Sequence, residues 1–114
     1  MPFYVLYAKD KPESLERRLE HYAAHRKFIE RGAAEVAVIM SGPLQTDNGE
    51  AMIGSMLMME ASSREAVERF VAEDPFTREE VWGEVSIARF YCRHVSNGIL
   101  PASSNPAPTG RGGR

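Results

Sequence analysis

Apolar and polar positions along the chain alternate with two different periods, and the switches between them mark out six segments. Phe3 to Ala8 is a run rich in β-formers in which Phe3, Val5 and Tyr7 point to one side and Tyr4 and Leu6 to the other. From Glu13 to Arg31 the period lengthens. Leu15, Leu19, Tyr22, Arg26 and Ile29 recur at helical spacing and centre one face, with Gly32 as the stop. Val36 to Met40 reads as an apolar strand that ends at Ser41-Gly42-Pro43. A polar turn from Thr46 to Glu50, with Asn48-Gly49 inside it, leads into a strand from Ala51 to Glu60. Ser62, with Glu65 three residues on, caps a second helix that carries Ala66, Val67, Phe70 and Val71 and ends before Asp74-Pro75. A short turn through Thr77 to Glu80 precedes the last strand, about Gly83 to His94. The order βαββαβ predicts an α+β, ferredoxin-like fold.

The strands add a second expectation. Met52, Met56 and Met58 oppose Ile53, Leu57 and Met59 in the third strand, so both of its faces are apolar. An antiparallel sheet with one face in water alternates apolar with polar side chains, and two helices cover only one face. At ~25 cal/mol per Å² of apolar area, leaving the other face wet is costly. A second copy packed sheet against sheet, hence a homodimer, is expected.

Composition narrows the class. The chain has 114 residues, 43% hydrophobic and 26% charged, as in a single ordinary globular domain. Residues 1–95 read as that domain. Residues 96–114, rich in Pro, Ser and Gly, read as a disordered tail. No apolar run approaches the ~18 residues of a membrane span and no secretory leader is recognisable, so a cytoplasmic location without a membrane partner is expected. Cys92 stands alone, in keeping with a reducing compartment. A formal charge of −2 gives no reason to expect nucleic acid.

The candidate chemistry lies in four places. His21 and His25 are four apart on the first helix, but no third and fourth ligand complete a zinc set, so no metal site is expected. His25 falls at the edge of the predicted inner stripe, where a histidine can face a wet cleft and transfer protons. A half-buried histidine without a role fits the pattern alone at least as well. Asp74, before Pro75-Phe76, suits a helix cap and equally a carboxylate that orients a histidine. Ser41-Gly42-Pro43 is a strand terminator or a loop close to a ligand, and Gly54-Ser55 marks a bulge or a close approach within a strand. Arg17 and Arg18 are placed on a solvated helix face, whereas Arg26 on the inner stripe is the candidate to hold an anionic oxygen. No nucleotide, phosphate or metal motif is present, and no cofactor is expected.

His25 in His-Arg-Lys-Phe-Ile, Ser-Gly-Pro-Leu at 41–44, Gly54-Ser55 and Asp74-Pro75-Phe76, in that order over residues 1 to about 93, resemble the YCII family of small dimeric α+β barrel proteins, related in fold to muconolactone isomerase. The resemblance implies a His25–Asp74 catalytic pair, with Arg26, Ser41, Gly42, Pro43 and Ser55 around a small-molecule substrate. One characterised type in that family is a dehydrochlorinase of a chlorinated hydroxyhydroquinone. It implies a cofactor-independent lyase or isomerase in which the histidine removes a hydroxyl proton before chloride leaves. The alternative is a non-catalytic ligand-binding or regulatory homodimer. The segment Thr77-Arg78-Glu79-Glu80 and the ending Ala88-Arg89-Phe90-Tyr91 depart from the commoner family pattern and leave the substrate open.

Overall fold

A computed structural model describes residues 1–96; of the expected tail, residues 97–114 lie outside the described residues. The elements run β1 (Phe3–Asp10), α1 (Leu15–Arg31), β2 (Val36–Gln45), β3 (Met52–Ala61), α2 (Arg64–Glu73), α3 (Pro75–Arg78) and β4 (Trp82–Phe90). The four strands form one antiparallel sheet in the order β2-β3-β1-β4. This is the ferredoxin-like arrangement that the βαββαβ pattern predicts, with one added helical turn, α3.

Register fixes which side chains share a face. Tyr4 lies opposite Met59 and Leu6 opposite Leu57. These side chains form the core beneath the helices together with Ile29, Val67, Phe70, Phe76 and Trp82. On the other face Val5 lies opposite Met58 and Tyr7 opposite Met56. There Val5, Met56 and Met58 are only half-buried and Tyr7 is exposed, because neither helix reaches that side.

Three expectations need correction. The second strand does not stop at Ser41-Gly42-Pro43 but continues to Gln45, with Pro43 opposite Ser55. β2 is an edge strand, where a residue without an N–H can be accommodated by facing the unpaired side. The cap of α2 is Ser63 rather than Ser62; Ser63 is extended and its hydroxyl accepts the Ala66 N–H at 3.1 Å. The inner face of α1 is rotated from the apolar stripe. Leu15 and Leu19 are 53% and 59% exposed, and Tyr22 is also exposed, while Arg18, His25 and Ile29 are buried. Polar groups go inside when their partners wait there, and both Arg18 and His25 have such partners.

A close backbone approach explains the glycine near the start of β3, Gly54. A Cβ there would sit 2.2 Å from the Ala8 carbonyl oxygen, so only glycine lets β1 and β3 pair at this point. The Gly54 carbonyl oxygen in turn accepts from Arg18 in the first turn of α1, and that juxtaposition sets the site.

Candidate active site

Asp74 follows α2 in an extended conformation, φ −64° and ψ 132°, and caps α3, whose first residue is Pro75. Its Oδ1 accepts the Phe76 N–H at 2.9 Å and also binds Nδ1 of His25 at 2.7 Å. A carboxylate only accepts, so Nδ1 carries the hydrogen and, in the neutral ring, Nε2 keeps the lone pair. Oδ2 of Asp74 is buried and makes no hydrogen bond among the described residues. Aromatic packing holds the imidazole flat. The Phe76 ring stacks on it at 3.9 Å and 6°, and Trp82 meets it edge-on at 5.8 Å. The residue that caps α3 is therefore also the one that holds the His25 ring.

Two turns before His25 lies a group that the sequence reading placed in water. Arg18 is 2% exposed. Its Nε and Nη2 donate to the two carboxylate oxygens of Asp10 at 2.8 and 2.9 Å, a planar fork on a planar partner. The two hydrogens of Nη2 are shared among Asp10 Oδ1, the Gly54 carbonyl oxygen at 2.9 Å and Ser55 Oγ at 2.6 Å. The guanidinium lies over the Phe76 ring at 4.8 Å. The indole N–H of Trp82 reaches the same Ser55 oxygen at 3.1 Å. Asp10, Arg18, Phe76 and Trp82 were not among the predicted site residues. The available signal was the seven-residue spacing of Arg18 and His25, which puts them on one side of a helix two turns apart.

Between α1 and the helix-facing side of β2 and β3 lies a cavity of about 290 Å³. Arg18, Tyr22, His25, Arg26, Ile29 and Glu30 line it from α1, Ser41, Gly42 and Pro43 from β2, and Ser55 from β3. All predicted site residues thus converge on it except Asp74, which stands behind His25. Arg26 does not sit on the inner stripe; its side chain is exposed and lies 3.5 Å from Glu30. His21 turns away, toward Glu79 at 3.7 Å. A larger open groove, about 850 Å³, runs over the outer side of α1 and α2 and holds none of the predicted site residues.

The model for a YCII-related domain matches residues 2–91. The chain belongs to the YCII family. As a YCII protein it is 34% identical over 92 residues to Protein YciI of Escherichia coli O6:H1 (strain CFT073), a match that covers 76% of this chain and 94% of that one. Among solved structures it is similar to 5-chloro-2-hydroxyhydroquinone dehydrochlorinase (TftG) from Burkholderia phenoliruptrix AC1100 in complex with 2,5-dihydroxybenzoquinone. The identity is 33%, the TM-score 0.69, and the match covers 82% of this chain and 95% of that one. An antibiotic biosynthesis monooxygenase, 19% identical over 81% of this chain and 98% of its own with a TM-score of 0.52, shares the fold.

Proposed function

We propose that this YCII protein is a cofactor-independent lyase that removes HCl from a small, oxygenated, chlorinated aromatic ring, with a chlorinated hydroxyhydroquinone as the leading substrate. The observation that carries the reading is the His25–Asp74 pair at 2.7 Å, with Nδ1 committed to the carboxylate and His25 lining the cavity. The similarity to TftG, a dehydrochlorinase in complex with a dihydroxybenzoquinone, supports the substrate class.

The chemistry asks little beyond proton transfer. A base removes one ring hydroxyl proton, and the ring becomes a ketone as a proton arrives on the carbon that bears chlorine. A second hydroxyl proton then leaves while the C–Cl electron pair departs as chloride. The organic product is a hydroxyquinone, and no outside oxidant is used, because the C–Cl carbon is reduced as the two carbons that become carbonyls are oxidised. His25 Nε2 takes and returns these protons, a role that contributes on the order of 10²–10⁴-fold. Asp74 stabilises the imidazolium that forms in between.

We infer further that the protein works as a homodimer whose half-covered sheet faces, with Val5, Tyr7, Met56 and Met58, pack together. Among the described residues no helix is long and apolar enough to cross a membrane.

The test is anaerobic chloride release from chlorinated hydroxyhydroquinone, beside a His25→Gln control. Glutamine can still donate to Asp74 but offers no base. Release from the native protein that falls at least a hundredfold in the folded variant is the expected result. Release that is equal in both, or that does not exceed the protein-free rate, removes the reading.

A further inference from the structure

Ser55 occupies an unusual position for a hydroxyl. It is 2% exposed on the covered face of β3, yet it lines the same cavity as His25. Its oxygen accepts from Arg18 Nη2 at 2.6 Å and from Trp82 Nε1 at 3.1 Å. Guanidinium and indole are donors with no acceptor capacity. A hydroxyl oxygen has two lone pairs and one hydrogen. Both lone pairs are therefore committed, and the hydrogen can point at neither partner. Ser55 makes no other hydrogen bond among the described residues.

The constraint is maintained from further away. Asp10 faces the Arg18 fork with both oxygens, and the two hydrogens of Nη2 are shared among Asp10 Oδ1, the Gly54 carbonyl oxygen and Ser55 Oγ. Arg18 cannot swing off Ser55 without leaving buried donors unpaired, which is costly. A positive charge 2.6 Å from the oxygen also polarises the O–H bond and makes it a stronger donor.

We propose that Ser55 is a dedicated hydrogen-bond donor to an oxyanion of the substrate, with Arg18 and Asp10 as positioning residues that act through it. The ligand it takes is an aryl oxyanion or the enolate-like oxygen formed when a ring hydroxyl gives its proton to His25. This deepens the reading above and rests on it for the substrate class. It also moves the anion-binding role from Arg26 at the cavity wall to a buried hydroxyl set by the α1–β3 contact.

The probe is 4-nitrocatechol, whose neutral and ionised forms absorb at different wavelengths. The native protein should bind the ionised form and lower the ionisation midpoint of the bound phenol below that of the free compound. Ser55→Ala should bind the ionised form about tenfold or more weakly, in line with a lost hydrogen bond to a charged group. Ser55→Cys guards against a folding artefact, since sulfur still accepts from Arg18 and Trp82 but its S–H is a weak donor. It should melt close to the native protein and show the same loss and the same return of the midpoint toward the free value. Unchanged binding in Ser55→Cys overturns the proposal, and so does a native protein that does not bind the probe. Chloride release from chlorinated hydroxyhydroquinone is scored separately. Its absence with nitrocatechol binding intact defeats the dehydrochlorinase reading and leaves the donor role of Ser55 standing.

Discussion

Because Oδ1 of Asp74 accepts both the Phe76 amide and the His25 ring hydrogen, substitutions at this position separate folding from chemistry. Asp74→Asn keeps an oxygen to cap α3 and loses the charge that answers an imidazolium. Its activity should fall on the order of 10²-fold or more, with little change in a thermal melt. Asp74→Ala loses the cap, worth about 1 kcal/mol, and strands a buried imidazole N–H, worth about 1–3 kcal/mol. Its melting temperature should drop clearly, and equal stability losses in the two variants would contradict the double role. Asp74 was legible as a cap because an Asp-Pro pair after a helix is a local feature, whereas the pattern alone left His25 without a role and only the family resemblance paired it with Asp74. Arg18 was not legible. Its burial depends on Asp10 across a loop and on Ser55 thirty-seven residues away, and no local pattern distinguishes a guanidinium with buried partners from one in water.

At the scale of elements, the four strands and two main helices follow from periodicity, while their faces and ends depend on neighbours. The apolar stripe of α1 pointed to Leu15, Leu19 and Tyr22 as the inner face, yet those side chains face out and the polar stripe through Arg18 and His25 is buried. The buried side is the one where Asp10, Ser55 and Asp74 supply partners for Arg18 and His25. Pro43 looked like a stop because its place at the sheet edge is a property of strand order, which the local sequence does not encode. Gly54 was readable as a close approach, and the Ala8 oxygen is what it approaches. Gly54→Ala should force β1 and β3 apart or twist the strand, and also disturb the carbonyl that Arg18 binds. A loss of about 2–4 kcal/mol in denaturant unfolding is expected, at or above the upper part of the overpacking range. A loss under about 0.5 kcal/mol would mean that the strands yield freely there.

For the whole molecule, the sheet divides labour between its faces. The covered side holds the core, the cavity and the paired charges, whereas Val5, Tyr7, Met56 and Met58 sit on the side without helices. A charge there should act on assembly and leave a single chain's fold in place. Met58→Asp is expected to shift the protein from dimer to monomer in light scattering, with helix and strand signals in circular dichroism retained. A native protein that is monomeric at high concentration, or a variant that stays dimeric, would set aside the sheet-to-sheet pairing.

The shared duty of Asp74 also bears on how this chain's descendants and cousins are to be interpreted. A cap before proline is worth keeping in any chain that builds α3, so the acid can persist long after a lineage has abandoned the reaction. His25 has no comparable backbone duty. On the function proposed above, a related chain that keeps the aspartate and has replaced the histidine would have its scaffold intact and no base, so the histidine, not the acid, is the position by which members would be sorted.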